Sequence, residues 1–294
     1  MPACPASKPP PFCPSPDCDS RTRPGTWRYK KKGFFHRTHP PHRVQRYRCH
    51  HCGRNFSAQT FAPTYWLKAP DRLVPLFHRL VGGSCLRQIG REFGLAPSTV
   101  ARHMNRLGRH CLLFHERLRP RTAPPEPLVL DGFRTFEHSQ YWPFDLNLLI
   151  GPSHYVYGFN DAPLRRSGTM RPAQKAKRAR LEEEHGRPDP QATRRSIQEL
   201  VARIVPPGAR ATIRSDEHHA YVQALRRLPD RRFHHERTSS KAHRTPRNPL
   251  FPVNLADLLL RHSSANHKRE TLAFSKRRQA ALYQAAIWVV WRNY

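Results

Sequence analysis

Two strand-like apolar runs, each ending in an aspartate, constrain the possible folds of this chain most strongly. The first run is PLVLD at residues 127–131 and the second is ATIRSD at residues 211–216. Acidic residues are scarce, with 21 Asp and Glu against 52 Lys and Arg, so a carboxylate that ends an apolar strand is an unusual placement. We expect Asp131 and Asp216 to converge in one sheet and to form a site for hard divalent cations.

The strongly basic composition predicts a nucleic-acid partner. A formal net charge of +31 suits a polyanion, because contacts with phosphates dominate the affinity of proteins for nucleic acids. The hydrophobic content of 37% and the patterned segments described below indicate folded domains rather than a ribosomal or merely cationic packaging protein. A divalent-cation site in such a chain therefore predicts an enzyme that processes nucleic acid.

The sequence predicts neither a membrane segment nor a secretory signal. No apolar run approaches the roughly 20 residues that a membrane-spanning helix needs. The first five residues, MPACP, lack an apolar core, so we expect no signal peptide. The chain has seven cysteines, an odd number, and four of them form two close pairs. This usage favours metal binding in a reducing compartment over a disulfide framework.

The two cysteine pairs near the N-terminus predict a zinc site. Tetrahedral zinc takes four thiolates from two short knuckles, and the pairs Cys13/Cys18 and Cys49/Cys52 have suitable spacing. A segment this small and rich in proline buries little core, so the metal would supply much of its folding free energy. Other side chains remain alternative ligands, one of which could replace Cys13: Cys4, His36, His39, His42, His50 and His51.

Residues 84–111 have the pattern of a helix-turn-helix. Apolar residues recur at helical spacing on both sides of a turn at Gly94: Leu86, Ile89 and Phe93 before it, and Val100, Met104 and Leu107 after it. The second helix is predicted to start at Ser98 and to present polar side chains to the major groove: Ser98, Arg102, Asn105, Arg106 and Arg109. An ordinary helical hairpin is the alternative interpretation.

A Pro-rich linker at 119–126 separates these modules from a strand-rich region. We predict strands at 128–136, 144–150, 154–159, 211–213 and 232–237, and helices at 172–185, 196–205 and from 255 to 262. The predicted domains are a zinc ribbon at 1–62, a helix-turn-helix module at 63–118 and a catalytic domain at 127–294. The catalytic domain carries a charged insertion near 170–195.

Several motifs, taken in order, resemble those of bacterial insertion-sequence transposases of the DDE/DDD class. They are YRCHHCGRNFS, VLDGFRTFE, IRSDEHHAY, PVNLADLLLRH, HKRETLAFSKR and WVVWRNY. The resemblance covers nearly the whole chain, with the zinc ribbon and the helix-turn-helix preceding the core. It implies an RNase H-like, mixed-sheet α/β core in which the first and fourth strands are neighbours. Asp131 and Asp216 would then meet at the centre of the sheet.

The resemblance also implies a third carboxylate, supplied by a helix. Asp257 is the best candidate. It shares a helix face with Arg261, and Leu255, Leu258 and Leu259 are available for the core. Glu270 is the runner-up, and in another register Asn254 occupies the acidic position. Purely structural roles are the alternative for the first two acids. Asp131 would then be a turn residue at the end of a strand, and Asp216 would be the N-cap of a helix at 217–227.

The cofactors and partners implied by the resemblance follow from this site. Mg²⁺ or Mn²⁺ would bind at Asp131, Asp216 and Asp257, and Zn²⁺ at the four paired cysteines. The partners would be double-stranded DNA, as element ends and as target, and further copies of the chain in a homodimer or larger assembly. The expected location is the bacterial cytoplasm, in association with the nucleoid.

The remaining charged residues of the core have simpler interpretations. We expect Glu137, Asp145 and Asp161 to be turn or surface residues. A basic run at 267–278, which includes Lys268 and Arg269, either grips DNA or forms a solvated helix face.

Three functions compete at this stage. The first is a transposase that binds element ends, cuts and joins. The second is a non-catalytic DNA-binding regulator or a decayed transposase, which metal-dependent cleavage would separate from the first. The third is a structure-selective nuclease with the same core and no joining step, which strand transfer would separate from a transposase.

Overall fold

The computed structural model describes residues 9–22, 27–268 and 271–294, and the chain divides into two units, Met1–Leu76 and Phe77–Tyr294. Each unit is described by itself. Three residues named above lie outside the described ranges: Cys4, Arg269 and Glu270.

The first unit is built on a three-stranded antiparallel sheet. A short helix α1 (Asp19–Thr22) precedes the strands β1 (Tyr29–His36), β2 (Arg43–Cys49) and β3 (Asn55–Ser57), which pair in that order. Aromatic rings in mutual contact form much of its small core: Trp27, Tyr29, Tyr47, Phe56 and Phe61. Such flat side chains bury a large area each, which compensates for the shortness of the segment.

Three helices precede the main sheet. Helix α2 (Leu73–Val81) crosses the boundary between the units, and α3 (Leu86–Phe93) and α4 (Pro97–Leu118) follow it. Gly94 ends α3 with a left-handed φ of 61°, a conformation that glycine adopts without strain. Pro97 occupies the first turn of α4, where a missing N–H costs nothing. Two helices joined by a short turn are therefore present where the helix-turn-helix was predicted, but α4 continues seven residues beyond residue 111, to Leu118.

The second unit contains a five-stranded mixed sheet. Its strands are β4 (Leu128–Glu137), β5 (Trp142–Ile150), β6 (Val156–Pro163), β7 (Arg210–Ser215) and β8 (Arg232–Arg237). The order across the sheet is β6-β5-β4-β7-β8, with β4, β5 and β6 antiparallel and with β7 parallel to both β4 and β8. The predicted mixed α/β architecture is confirmed, and every predicted strand is present.

Five helices complete the second unit: α5 (Pro172–His185), α6 (Ala192–Ile204), α7 (His219–Arg226), α8 (Phe251–Ser263) and α9 (Arg278–Asn293). Helices α6 and α7 pack apolar side chains such as Ile197 and Ala224 against Leu128 and Leu130 of the central strand. Helix α8 contacts β4 and β5, and α9 contacts β6. Helix α5 buries no residue, as predicted for the charged insertion.

The long helix α4 is part of the core of the second unit. It packs along α9, and a side chain at Gly108 would overlap Tyr283 of that helix. Further along α4, the buried His115 is within hydrogen-bond distance of the Tyr294 hydroxyl and the Tyr157 carbonyl, at 3.2 Å in both cases. None of the helices among the described residues has both the length and the apolar composition that crossing a bilayer requires.

Candidate metal centres

The four paired cysteines converge on one point. Their sulfur atoms all lie within 4.8 Å of one another, with Cys13 Sγ 3.6 Å from Cys52 Sγ and Cys18 Sγ 3.9 Å from Cys49 Sγ. Zn–S bonds of about 2.3 Å in a tetrahedron place sulfurs about 3.8 Å apart, so the spacing fits zinc. The predicted ligand set is thus brought together, and none of the described histidines joins this group.

Local backbone geometry positions the second cysteine pair. Cys49 ends β2, its carbonyl accepts a hydrogen bond from the Gly53 amide at 3.2 Å, and its own amide donates to the Arg54 carbonyl at 3.0 Å. Gly53 has a φ of +71°, which lets the chain turn tightly after Cys52. The indole of Trp27 packs against the buried sulfurs. A short turn and one aromatic ring therefore define the knuckle.

The two aspartates lie near one another beside the central strand of the sheet. Val129 of β4 pairs with Arg214 of β7. Asp131 lies two residues further along β4, and Asp216 directly follows Ser215, the last residue of β7. The charge of Asp216 acts on the Asp131 carboxyl, so the two side chains share one region of the five-stranded sheet.

The environment of Asp131 disfavours the ionised form of its carboxyl. Its Oδ1 accepts a hydrogen bond from the Gly132 amide at 2.7 Å and from the Tyr221 hydroxyl at 3.4 Å. Burial raises the pKa of the Asp131 carboxyl to about 6, with a further contribution from the charge of Asp216, although the two hydrogen bonds act in the opposite direction. This carboxylate is held in place and would be stabilised by a nearby cation.

Asp257 faces the same region from helix α8. Its Oδ1 is buried and has no hydrogen-bond partner among the described residues. Burial raises the pKa of the Asp257 carboxyl to about 8, the charge of Asp131 adds to this effect, and Arg261 and Arg244 oppose it. The charge of Asp131 acts on the Asp257 carboxyl, so the two groups belong to one region. They are not, however, as close as the cysteines: among the described residues, the aspartates form no group with ligand atoms all within 4.8 Å.

The orientation of α8 differs from the sequence-based expectation. Leu255, Leu258 and Leu259 seemed available for the core, but Leu258 is 62% exposed. The buried face instead carries Val253, Ala256, Asp257 and Leu260, at spacings of three and four residues, with Asp257 only partly exposed. The carboxylate therefore lies on the inward side of the helix.

Asp216 does not cap the following helix. Helix α7 begins at His219, and the N-cap is His218, whose ring nitrogen accepts from the Ala220 amide at 3.3 Å. Asp216 Oδ1 instead accepts a hydrogen bond from the His218 amide at 2.9 Å. The alternative interpretation of Asp216 as an N-cap is wrong.

Two residues of this region were missed by the sequence analysis. Asp145, expected at a turn or on the surface, is only 9% exposed on β5, and burial raises its pKa despite an Arg134 Nε–carboxylate contact of 3.2 Å. Tyr221 on α7 donates to Asp131, and burial and the charges of Asp131, Asp216 and Asp145 raise its pKa. The signal for Asp145 was its position inside the mainly apolar run FDLNLLI.

Two other acids and the basic run also differ from expectation. Asp161 and Glu137 lie on strands rather than turns, and both contact Arg278. The Arg278 Nε is 3.1 Å from Asp161 Oδ2, and the Arg278 backbone amide donates a hydrogen bond to Glu137 Oε2 at 2.9 Å.

The basic run begins with a buried histidine. His267 is 2% exposed, and burial lowers its pKa to about 4. The run at 267–278 is therefore not one solvated face, although Lys268 is exposed.

The candidate DNA contacts on α4 are unevenly exposed. Ser98, Arg102 and Arg109 are exposed, and Asn105 and Arg106 are half-buried. Ala96 is the N-cap, so Ser98 lies inside the first turn rather than at the helix start. The helix thus presents two exposed arginines seven residues apart on one side.

Comparisons with known proteins add little. No protein-family model matches the chain, and no curated protein matches it. One matching solved structure is a chain from the cryo-EM structure of the simian T-cell lymphotropic virus intasome in complex with PP2A regulatory subunit B56 gamma. The match has 14% identity and a TM-score of 0.22, and it covers 66% of this chain and 57% of that chain. At this TM-score the likeness says nothing about function.

Proposed function

We propose that this protein is a DNA transposase that binds element ends and performs metal-dependent strand cleavage and strand transfer. One observation carries the proposal: Asp131 on the central strand β4 and Asp216, directly after the end of the adjacent parallel strand β7, lie near one another in a mixed sheet. The strand order, with the first and fourth strands of the sheet as neighbours, supports an RNase H-like core. The net charge of +31 supports a phosphate-backbone substrate.

The donor set around Asp131 fits Mg²⁺ or Mn²⁺. Carboxylate oxygens are the ligands these hard cations prefer, and Asp257 Oδ1 is a buried oxygen with no hydrogen-bond partner among the described residues. Asp131, Asp216 and Asp257 would hold the metal. When bound, such ions supply Lewis-acid activation of a hydroxyl nucleophile and stabilisation of the leaving oxygen.

The side chains of the protein prepare this site in three ways. Gly132 and Tyr221 fix the Asp131 carboxylate by hydrogen bonds, so little reorganisation is needed when a cation arrives. The helix carrying Asp257 presents that carboxylate on its inward face. Exposed Arg102 and Arg109 on α4 are suited to phosphate or guanine contacts, and they support DNA binding through the helix-turn-helix.

The four-cysteine cluster supports a zinc ribbon in the first unit. Its spacing fits one zinc ion, whose role would be to hold the small aromatic core together rather than to react. The exposed, strongly basic strand β1, with the sequence YKKKGFFH, gives this unit a surface suited to the DNA backbone.

The test is cleavage of DNA that carries the boundaries of the protein's own genomic locus. Purified protein with Mg²⁺ should cut or join this DNA, and Asp216→Asn should abolish both reactions while leaving DNA binding intact. Asp71→Asn makes the same chemical change at an exposed residue and should retain activity. Binding without any cleavage at saturating DNA and metal would contradict the proposal and favour a regulator or a decayed transposase. Cleavage without joining would favour a nuclease.

A further inference from the structure

Trp66 of the first unit is a large aromatic side chain that lies almost entirely in water. Its exposed fraction is 82%, whereas Trp27 of the same unit packs against Tyr29 and Phe56 in the aromatic core. Trp66 also has a left-handed φ of 59°, a conformation that is strained for a bulky side chain and that glycine adopts freely. Neither core packing nor backbone conformation therefore accounts for a tryptophan at this position.

The turn around Trp66 holds this conformation in place. The Tyr65 amide donates a hydrogen bond to the Ala62 carbonyl at 3.0 Å, and the Leu67 amide donates to the Thr64 carbonyl at 3.1 Å. The Tyr65 ring contacts the indole edge-on, with the ring centroids 6.0 Å apart. Backbone strain that surrounding hydrogen bonds maintain is typical of ligand-binding segments.

The part of the first unit that surrounds this turn carries only positive formal charge. Residues 27–70 include ten Lys and Arg and no Asp or Glu. Arg37, which directly follows β1, donates from Nη2 to the Leu67 carbonyl at 3.3 Å and so joins the β1–β2 hairpin to the residue after Trp66. The exposed basic side chains on the two strands of this hairpin are Lys30, Lys31, Lys32, Arg43 and Arg46. A surface of this charge suits a polyanion.

A second exposed ring lies on the hairpin. Phe34 is 46% exposed, and the Arg43 guanidinium lies 3.7 Å from the centroid of its ring. Basic and aromatic side chains combine in this way in proteins that bind single strands of nucleic acid, where phosphates contact the charges and bases stack on the rings. An acidic peptide would satisfy the charge, but it would offer the indole no flat partner.

We propose that this surface of the first unit, formed by Trp66 and the β1–β2 hairpin, binds unpaired nucleotides of DNA. A base would stack on the Trp66 indole, and the phosphates would lie along the hairpin. In a duplex the flat faces of the bases are covered by their neighbours, so an exposed indole can stack only on an unpaired base or on a terminal pair. The choice of DNA rests on the proposed function, because strands opened at an element end would supply such nucleotides.

The test begins with replacement of Trp66 by glycine. Zinc-loaded full-length protein without Mg²⁺ is titrated into a labelled oligo(dT) of about 16 nucleotides, and fluorescence anisotropy gives the Kd. Trp66→Gly should raise the Kd about tenfold, the loss expected when one stacked base is removed. The stability of the first unit should stay nearly unchanged, because relief of the strained φ offsets the greater freedom of glycine in the unfolded chain. An unchanged Kd for Trp66→Gly would overturn the proposal.

A second variant covers the case in which Trp66→Gly does not fold. Asparagine tolerates the left-handed region better than most residues, so Trp66→Asn keeps the backbone conformation and removes the ring. Circular dichroism identifies the folded variant, and that variant should show the same tenfold weakening. A folded variant of either kind with wild-type affinity would refute the assignment.

Tryptophan fluorescence reports stacking directly. Oligo(dT) should quench part of the tryptophan emission of the wild type. Trp66→Phe should lose this quenching and keep most of the affinity, since phenylalanine also offers a ring to a base. Trp291→Phe is the matched control, because Trp291 is an exposed tryptophan of the second unit and its replacement should leave the quenching intact. Wild-type quenching in Trp66→Phe would show that no base stacks on Trp66.

Other ligands separate stacking from simple charge attraction. Trp66→Gly should weaken binding to the single strand more than binding to a long blunt-ended duplex, and an equal loss would mean that Trp66 contacts the duplex backbone instead. Poly-glutamate should compete poorly, and competition equal to that of oligo(dT) per charge would contradict stacking. Tighter binding of oligo(rU) than of oligo(dT) would contradict the choice of DNA.

This assay does not depend on the aspartates, because no divalent cation is added for cleavage. Single-strand binding that requires Trp66, in a protein that never cuts DNA, would support this surface and contradict the proposed function. Cleavage by a protein whose single-strand binding ignores Trp66 would do the opposite.

Discussion

The cysteine cluster of the first unit and the aspartate site of the second unit are assembled in opposite ways. The cysteines belong to two short segments, and their sulfurs already lie within 4.8 Å of one another around a small aromatic core. The aspartates come from a strand, from the residue after a second strand and from a helix, and they span more than 120 residues, from Asp131 to Asp257. The elements that carry the aspartates pack on a large apolar core, and the negative charges of the aspartates repel one another.

This difference suggests a division of roles. Metal binding to a cluster on which folding depends stabilises the folded state. Carboxylates that the fold holds close together repel one another, and a bound cation removes this unfavourable electrostatic energy. The first arrangement is typical of structural metals and the second of catalytic centres. Removing ligands from the two sites should therefore have opposite effects on stability.

The largest expected effect is loss of the first unit when its four-cysteine cluster is broken. Cys49→Ser should unfold this unit, because a structural zinc ion contributes on the order of 10 kcal/mol to the folding of such small domains. Loss of the tertiary signal of its tryptophans and loss of bound zinc by elemental analysis would measure this. Cys85→Ser is the matched control, since Cys85 lies outside the cluster. A folded Cys49→Ser protein without zinc would show that the aromatic core suffices.

The next effect is a pH dependence of stability caused by Asp257. The folded carboxyl has a pKa of about 8 and an ordinary carboxyl about 3.8, so the folded state holds one more proton between these values. The free energy of opening should then fall as pH rises from about 4 to about 8, by at most about 1.4 kcal/mol per unit. Asp257→Asn should flatten this slope in the absence of divalent cations.

Amide hydrogen exchange in the central strand β4 measures this free energy, because core strands open only with the whole unit. Asp71→Asn, at an exposed carboxyl, should keep the wild-type slope. If Asp257→Asn keeps it as well, Asp257 is ionised in the folded protein at neutral pH, and the repulsion argued above is absent.

A smaller effect is stabilisation of the second unit by Mn²⁺. A cation that binds only the folded state at 100 times its Kd adds about 2.7 kcal/mol to stability. Addition of Mn²⁺ should therefore slow exchange in β4, and Asp131→Asn should remove most of this gain because it takes one charge from the site. Equal stabilisation of wild type and Asp131→Asn would place the bound Mn²⁺ elsewhere.

The same contrast explains how much could be predicted from the sequence. Cysteine spacing is a local signal, and it identified the ligands that the structure brings together. Asp131 and Asp216 could also be singled out, because an acid after an apolar run is visible without knowing the fold. Asp145 and Tyr221 were not found, since their burial depends on packing between the β4–β5 hairpin and α7, which is distant from that hairpin in sequence.

The helix rotations were the hardest to predict. In α8, leucines occur on several sides, so the pattern could not decide whether Leu258 or Leu260 faces the core. In α4, the apolar residues after Cys111 also lie on more than one side, and the packing of α9 selects the face that is buried. Such choices depend on tertiary contacts rather than on periodicity.

The smallest expected effect concerns the Tyr221 hydroxyl. Its hydrogen bond to Asp131 Oδ1 is long, at 3.4 Å, and such bonds contribute little, so Tyr221→Phe should change the stability of the second unit by less than about 1 kcal/mol. The effect of Tyr221→Phe on Mn²⁺ binding at the aspartate site should be easier to detect. Without this donor the Asp131 carboxylate is less fixed, and its pKa should rise further, because the hydrogen bond now lowers it. Mn²⁺ binding by Tyr221→Phe should therefore weaken most at the acidic end of a titration from pH 5 to 8. The same substitution at Tyr283 on α9, whose hydroxyl accepts a hydrogen bond from Gln279 Nε2, should leave the profile unchanged. A profile for Tyr221→Phe that overlays the wild type would mean that Gly132 alone holds the carboxylate, and the aspartate site would then depend on backbone geometry as the cysteine cluster does.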